Sequence, residues 1–171
     1  MQTADSLVGR TPPLSTSQIV QLDHASLDVA DAIRAVMFAA YRVEGAILGV
    51  VDFMPLHRTT AQIADAQACF LGIWLDGGLT AVAELEQVEP GLRQISALVV
   101  SPAHFREGLA TALLRDIIET HPCVDLTVST GVQNVPALQL YAAHGFSQQS
   151  HWTTPDGIPM VTLIRHGDTG H

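Results

Sequence analysis

An apolar strand that passes through one short turn into a long amphipathic helix is the feature that most constrains the fold. Residues 97–100, Ala-Leu-Val-Val, form the uninterrupted apolar run of a central strand. Gly108 opens the helix, in which apolar side chains recur at helical spacing over residues 109–118. An alternating strand at residues 124–129 follows. This strand–helix–strand unit predicts a sheet with helices packed on it.

The segment before this unit contains signals for one strand and two helices. A strand candidate at residues 19–22 precedes a helix that Ser26 can cap and that Gly45 is predicted to stop. Thr59 begins a capping-box sequence, which predicts a second helix. The apolar connection between the helices, residues 46–56, is predicted to act as a lid or as the wall of a pocket.

Turn residues delimit the other elements. The Asp76-Gly77-Gly78 sequence predicts a hairpin, and Gly145 is a predicted helix stop. Together the signals predict a mixed α/β or α+β fold without internal repeats. The predicted strands of this second set are residues 70–75, 79–86, 92–100, 146–153 and 158–166, with a short helix at residues 136–144.

The predicted domain lies between two tails. Residues 1–17 are rich in Ser, Thr and Pro without periodicity, and we interpret them as a flexible N-terminal tail. Residues 167–171 are interpreted as a C-terminal tail. Residues 18–166 are then a single domain, long enough to bury its own core.

The charge balance excludes several classes of partner. The chain has 17 acidic side chains against 8 basic ones, all arginine, and a formal charge of −9. Binding to nucleic acid or to an anionic membrane needs clustered Lys and Arg, so neither is expected. With 47% hydrophobic and 15% charged residues, the composition is that of a folded protein.

Cysteine and histidine usage favours a cytoplasmic protein without a metal site. Cys69 and Cys123 lie far apart in apolar surroundings and are interpreted as small buried side chains. No secretory signal or run of 18 apolar residues is present. The eight histidines lack paired ligand spacing, so no metal is expected.

The turn between residue 100 and the helix has the character of an anion site. The first N–H groups of a helix have no partners within the helix, and the helix dipole favours negative charge there. Gly108 and Ala110 leave room for a phosphate to approach the backbone, and Arg106 can add a charged contact. Many helices begin with Gly for backbone reasons alone. Neither GxGxxG nor GK[ST] occurs.

Two motifs in this order resemble the GNAT superfamily of acyl-CoA-dependent N-acetyltransferases. Val100-Ser101-Pro102 matches its V-x-P strand end, and Gly108 and Ala110 match the last positions of Q/R-x-x-G-x-G/A. Phe105 departs from the first position of that signature. Residues 134–146, NVPALQLYAAHGF, match the later motif N-x-x-A-x-x-L-Y-x-x-x-G-F at every fixed position.

The resemblance implies a fold, a cosubstrate and a binding mode. The implied fold is a mixed, mostly antiparallel sheet of about six to seven strands flanked by about four helices. The implied cosubstrate is acetyl-CoA, whose pantetheine arm lies between a central strand and its splayed neighbour while backbone amides hold its pyrophosphate. The residues expected to contact the coenzyme are Leu98, Val99, Val100, Phe105, Arg106, Glu107, Gly108, Leu109, Ala110, Thr111, Asn134 and Tyr141.

Two residues of the later motif allow alternative interpretations. By resemblance, Tyr141 is the candidate general acid toward the coenzyme A thiolate, but aromatic residues at such spacing also pack helices onto sheets. Asn134 either bonds the coenzyme region or caps the helix that follows it, a position for which Asn is well suited.

The general base does not follow directly from the resemblance. Many relatives carry Glu on the central strand, where this chain has Ser96. Glu84 and Glu86 lie two residues apart on one face of the predicted neighbouring strand, so both can point into an acceptor cleft, although a solvated strand face fits equally. Glu84 is therefore the candidate base. The candidate acceptor-binding residues are Tyr41, Asp52, Glu84, Glu86 and Ser129.

The sequence thus predicts an acetyl-CoA-dependent N-acetyltransferase that acts by direct attack of a primary amine. The acidic composition favours a small or peptidic cationic acceptor. The alternatives are a non-catalytic acyl-CoA-binding or regulatory module and a relative whose pocket serves only a partner protein. Both a monomer and a homodimer are compatible with the sequence.

Overall fold

The computed structural model describes residues 19–170, which form one seven-stranded sheet and four helices. The predicted tail at residues 1–17 lies outside this range. The predicted fold class is confirmed. The strands are β1 Ile19–Gln21, β2 Cys69–Leu75, β3 Gly78–Glu89, β4 Leu92–Val100, β5 Asp125–Gly131, β6 Ser147–Thr153 and β7 Pro159–Arg165. The helices are α1 Leu27–Leu48, α2 Thr60–Ala64, α3 Leu109–Thr120 and α4 Val135–Ala143, with 3-10 turns at Met54–His57 and Pro102–His104.

The strand order across the sheet is β1-β2-β3-β4-β5-β7-β6. Every neighbouring pair is antiparallel except β4 and β5, which are joined through α3 and run parallel. A parallel pair needs such a crossover, because a short turn reverses the chain. The predicted strand–helix–strand unit is therefore the centre of the sheet.

Helices cover both faces of the sheet, and each face has its own apolar core. The first core joins α3 and α4 to the sheet and includes Ile95, Leu113 and Ile117. The second joins α1 and α2 to the opposite face and includes Ile33 and Phe70. Because the C-terminal part of β4 lies between two covered faces, its side chains at residues 97–100 are apolar on both sides, as the sequence indicated.

A β-bulge interrupts β4 at Ser96. Glu84 of β3 lies opposite Ala97, and the next residue, Leu85, lies opposite Ile95, so Ser96 is the extra residue. The bulge reverses the alternation of side chains, since Ile95 belongs to the first core and Ala97 to the second. Bulges of this kind bend a strand and re-aim its side chains, and they occur often beside functional sites.

Helix α1 extends past the predicted stop. Gly45 is buried inside the helix, where a Cβ would lie 3.2 Å from the Cβ of Phe53. The helix ends instead at Gly49, whose φ of 69° is the left-handed conformation of a helix terminus. The prediction that Gly45 stops the helix was wrong, because that glycine lies inside the helix and packs closely against Phe53.

Several local predictions are confirmed. Asp76 and Gly77 adopt φ angles of 51° and 79° in the β2–β3 hairpin, as a two-residue turn of this hand requires. The capping box of α2 is formed, with Thr59 accepting from the Gln62 N–H.

Beyond β7, the N–H of Asp168 donates to the Pro122 carbonyl at 2.6 Å, so backbone hydrogen bonds continue into the predicted C-terminal tail.

Candidate active site

The sheet opens between β4 and β5. Their parallel pairing runs from Leu92 opposite Asp125 to Ile95 opposite Val128 and ends there, one residue before the bulge. Beyond this point the two strands are no longer paired, and their residues line cavities. The splayed strand end predicted from the family resemblance is therefore present.

A cavity of about 540 Å³ lies between the C-terminal half of β4, the start of α3, α1 and α4. Its walls include all of the predicted coenzyme-contact residues except Glu107. The structure thus brings the two sequence motifs together on one cavity, which we call the α3 cavity. The predicted residues on its walls are Leu98, Val99, Val100, Phe105, Arg106, Gly108, Leu109, Ala110, Thr111, Asn134 and Tyr141.

The start of α3 offers unpaired backbone donors to this cavity. The first main-chain bond of the helix is from the Ala112 N–H to the Gly108 carbonyl, at 3.0 Å, so the preceding N–H groups have no partner within the helix. Arg106 and Gly108 have φ angles of 65° and 79°, and a Cβ on Gly108 would meet no atom within 4 Å. Glycine at this position therefore adopts the left-handed conformation without strain and leaves the space before the helix open.

Glu107 is directed elsewhere. Its carboxylate lies 2.9 Å from Nδ1 of His104, and its side chain is exposed. Glu107 therefore contacts a residue of the cavity wall, His104, without lining the cavity itself.

A second cavity, of about 410 Å³, lies on the other side of the β4 bulge. We call it the β6–β7 cavity, because the turn between these strands closes one of its sides. Phe53, Met54 and Pro55 of the apolar connection form another side, so this segment is a pocket wall as predicted. Of the predicted acceptor residues, Tyr41 and Ser129 line this cavity, whereas Asp52, Glu84 and Glu86 do not.

Glu84 is held in a buried ion pair. Its side chain is 2% exposed, and its two carboxylate oxygens accept from the Arg58 guanidinium at 2.6 and 2.8 Å. This bidentate pair raises the pKa of Arg58. Arg34 of α1 donates to the Arg58 carbonyl at 3.1 Å. Glu84 thus anchors the connection before α2, and neither cavity includes it.

Glu86 and Asp52 are also occupied by neighbours. Glu86 accepts from the Ser96 hydroxyl at 2.5 Å, so it touches the wall of the β6–β7 cavity without lining it. Asp52 is exposed and pairs with His57. The sequence grouped these acids by their proximity to a presumed cleft, but the side chains have separate partners.

Glu44 of α1 lies where the two cavities meet. It lines both, together with Leu98, Val99, Asn134, Ala137 and Tyr141. Burial raises the pKa of the Glu44 carboxyl, and a hydrogen bond from the Asn134 side chain partly opposes the shift. A carboxylate at this junction can accept a proton from a group placed in either cavity.

Tyr141 contributes a protonated hydroxyl to the same junction. Its side chain is 5% exposed, and burial, the charge of Glu44 and Tyr41 raise its pKa, so the phenol stays protonated at neutral pH. Its ring also packs edge-on against Phe146, with centroids 5.4 Å apart. The packing interpretation is thus correct for the ring, while the hydroxyl remains a candidate proton donor.

Asn134 caps α4. Its side-chain oxygen accepts from the Ala137 N–H at 3.4 Å, as one of the two sequence interpretations proposed. Its side chain also lines both cavities beside Glu44. Asn134 therefore fixes the start of α4 at the point where the two cavities meet.

Glu44 is absent from the residues predicted from sequence, although it precedes the predicted helix stop at Gly45. Glu44 follows Tyr41 by three residues and Ala40 by four, which places all three on one face of α1. An acidic residue on the otherwise apolar face of a helix is the signal that identifies it. Within residues 19–170, His, Cys, Asp and Glu side chains form no group of three suited to a metal ion.

A sheet that opens between its two parallel strands, above the start of a helix reached through a glycine turn, defines the GNAT class of fold. The Acetyltransferase (GNAT) family model matches residues 30–146. The chain belongs to this family.

Two curated relatives illustrate the range of related sequences. The chain is 32% identical over 138 residues to UPF0157 protein YqkA of Bacillus subtilis, covering 80% of this chain and 40% of that protein. It is also 32% identical over 84 residues to aminoglycoside N(6')-acetyltransferase type 1 of Klebsiella pneumoniae, covering 47% of this chain and 41% of the relative. The chain thus spans about 40% of the length of these relatives.

Solved structures show the same fold at low identity. The ribosomal-protein-S18-alanine N-acetyltransferase of Escherichia coli superposes with a TM-score of 0.69 at 19% identity, covering 90% of this chain and 96% of that one. An N-acetyltransferase of Thermoplasma acidophilum in complex with coenzyme A gives 0.67 at 14% identity, with 86% and 98% covered. Within the described part of this chain, no helix has the length and apolarity needed to cross a bilayer.

Proposed function

We propose that this chain is an acetyl-CoA-dependent N-acetyltransferase that acetylates a primary amine by direct attack. The observation that carries the proposal is the meeting of two cavities at the opening between β4 and β5, with Glu44 and Tyr141 at the junction. One cavity has the donors for an acyl carrier, and the other has room for an acceptor.

The α3 cavity fits coenzyme A. Unpaired N–H groups at the start of α3 and the Arg106 guanidinium suit a pyrophosphate, and the open space before Gly108 lets it approach. The edge of β4 that β5 leaves free suits an extended amide-containing arm. When bound, acetyl-CoA supplies the activated acetyl group.

Two residues at the junction accept and donate the protons that the transfer requires. The nitrogen–carbon bond forms as the carbon–sulfur bond breaks, so the amine loses a proton and the departing sulfur requires one. Glu44 accepts the amine proton, and the Tyr141 hydroxyl donates to sulfur. We assign the base to Glu44 instead of Glu84, because both Glu84 oxygens are held by Arg58.

Coenzyme binding is tested first. Acetyl-CoA at about a hundredfold above its Kd should raise Tm by about 5–10 °C, since it binds only the folded state. Arg106→Glu should abolish this shift. Arg115→Glu makes the same charge change on the exposed face of α3, outside both cavities, and should keep the shift.

Transfer is tested by the release of coenzyme A in the presence of amines. Turnover that depends on an amine supports the enzyme. A coenzyme shift without turnover on any amine would favour the alternative, a non-catalytic acyl-CoA-binding module. Absence of the shift in the wild-type protein would contradict both. The cytoplasmic location and the oligomeric state remain predictions from sequence.

A further inference from the structure

The β6–β7 cavity has apolar side chains at its opening as well as inside. Met54 and Trp152 both line it and are 62% and 43% exposed, so their apolar surfaces face solvent at the cavity mouth. They belong to different elements, the connection before α2 and strand β6. Deeper walls come from Phe53 and Ile158, which are buried. An occupant with an apolar body would cover the exposed surfaces and gain their burial.

The charged groups of this cavity are few and of one sign. Among the described residues that line it, the carboxylates are Glu44 and Asp156, and none is basic. Glu44 lies at the inner end, because it also lines the α3 cavity, whereas Asp156 is exposed in the β6–β7 turn. Asp156 already accepts from the Thr154 hydroxyl at 2.5 Å. One ammonium group therefore finds a carboxylate at the reacting end.

Other classes of amine fit this lining less well. A polyamine or an aminosugar carries several charges, and apart from Glu44 and the exposed Asp156 the cavity offers them only uncharged walls, where an unpaired charge is costly. A free amino acid brings a carboxylate, which would meet Glu44 with no basic side chain to bind it.

Given the proposed acetyl transfer, we propose that the acceptor is a primary amine with one positive charge, an apolar aromatic or branched body, and no anionic group. Its ammonium group lies at Glu44, which takes one proton so that the neutral amine can attack. The proton that nitrogen loses as the amide forms balances the one that Tyr141 gives to sulfur. The body of the amine lies between Met54 and Trp152. A cavity of about 410 Å³ is large enough for a small molecule of this class.

The matched probes are tryptamine, L-tryptophan and spermidine. Tryptophan has the same indole body as tryptamine with a carboxylate added, and spermidine has primary amines without an apolar ring. Kanamycin serves as the aminosugar probe. Tryptamine should show a kcat/KM at least tenfold above each of the others. With coenzyme A saturating, tryptamine should also raise Tm more than the other three at equal concentration.

Cavity-mouth variants locate the site of the preference. Trp152→Ser and Met54→Ser should each raise the KM for tryptamine about tenfold, since each removes one large apolar contact. The KM for acetyl-CoA should not change. Val88→Ser replaces an exposed apolar residue at the far end of β3 and should leave both KM values unchanged.

The outcomes separate this inference from the proposed function. Preferred turnover of spermidine, kanamycin or tryptophan would overturn the acceptor class while the acetyltransferase stands. Tryptamine binding that Trp152→Ser weakens, without turnover of any amine, would support the acceptor site and contradict the enzyme. If tryptamine neither binds nor reacts, or if Trp152→Ser leaves its KM unchanged, the inferred acceptor class is wrong.

Discussion

Burial of the Glu44 carboxyl has opposite consequences for stability and for catalysis. The pKa of Glu44 is raised by burial, so the folded state binds the proton more tightly than the unfolded state does. The stability that this group contributes is therefore present below the ordinary Glu pKa of about 4.3 and is lost as pH rises through the folded value. Above that pH the protein retains a destabilising carboxylate at the junction of its cavities.

Glu44→Gln should remove catalysis without lowering stability. We expect kcat to fall about 10²- to 10⁴-fold, because a general base is lost. The rising limb of the wild-type pH–rate profile should lie above the pH expected for an ordinary Glu, and it should be missing from the variant. The difference in Tm between the variant and the wild type should be more positive at pH 8 than at pH 4. Steady-state kinetics and thermal melts across pH measure both effects.

Glu119→Gln is the matched control for this residue. It makes the same chemical change at an exposed position of α3 and should alter neither the kcat nor the pH profile. A Glu44→Gln enzyme with wild-type kcat and an unchanged acidic limb would remove Glu44 from the mechanism. Retention of the acetyl-CoA-induced Tm shift shows that the variant is folded and binds the coenzyme.

Glu84 should behave in the opposite way, since its role is structural. Glu84→Gln leaves the Arg58 guanidinium without its anionic partner in a site where Glu84 is 2% exposed. Loss of one member of a buried pair should lower the free energy of unfolding by about 3 kcal/mol. Urea denaturation at neutral pH measures this, with Glu119→Gln expected within about 0.5 kcal/mol of wild type.

Kinetics distinguish this structural role from a catalytic one. Below its unfolding transition, Glu84→Gln should keep the pH dependence of kcat, because no proton passes through the Arg58 pair. Loss of the acidic limb of the profile with unchanged stability would show instead that Glu84 is the base, as the sequence suggested.

At the scale of elements, the start of α3 combines a backbone requirement with a binding role. Gly108 has a φ of 79°, which costs an L side chain about 1–2 kcal/mol. Gly91, in the turn between β3 and β4, has a φ of 81° and also has no atom within 4 Å of an added Cβ. The two glycines therefore share their conformational requirement and differ in position.

Gly108→Ala and Gly91→Ala should lower the apo Tm by similar amounts, about 2–8 °C. Only Gly108→Ala adds a methyl group to the α3 cavity, so only this variant should weaken the acetyl-CoA-induced shift in Tm. Thermal melts with and without acetyl-CoA make the comparison. Equal shifts in both variants would mean that the coenzyme phosphates do not lie against this turn.

Elements with strong local signals were predictable from sequence. The apolar run of β4, the Gly108 turn, the Asp76 hairpin and the capping box of α2 depend on neighbouring residues, and the structure has each of them. The end of α1 was not predictable in this way, because Gly45 is selected by its packing against Phe53. Local chemistry cannot distinguish a glycine that ends a helix from one that admits a neighbour.

The candidate site shows the same difference between residues that have a local sequence signal and residues that do not. The coenzyme residues lie on two local motifs and converge on one cavity. The acids of the acceptor side depend on contacts between distant residues, such as Glu84 with Arg58, 26 positions apart. The bulge at Ser96 also arises from the pairing of β3 with β4, and it changes which side chains of β4 share a face. Single-sequence periodicity carries no signal for either.

At the scale of the whole molecule, the net charge of the chain has opposite effects on the two proposed ligands. The local charges at the start of α3 counteract its effect on the coenzyme. The chain carries a formal charge of −9, which repels a polyanionic coenzyme and attracts an ammonium. In the proposed binding mode, the start of α3 and Arg106 would therefore have to supply the attraction for the coenzyme. The amine needs no dense acidic cluster in its cavity, because the field of the whole molecule already favours its approach.

The wall shared by the two cavities predicts that the ligands assist each other. Coenzyme A in the α3 cavity would exclude water from one side of Glu44, and a lower local dielectric strengthens the attraction between its carboxylate and an ammonium. Coenzyme A should therefore tighten tryptamine binding about tenfold, and by linkage tryptamine should tighten coenzyme A by the same factor. Isothermal titration in both orders measures the two factors.

Trp152→Ser should weaken tryptamine binding yet preserve the coupling, whereas Glu44→Gln should abolish the coupling. Equal tryptamine affinity with and without coenzyme A would mean that the cavities act independently, and Glu44 could not then serve both ligands.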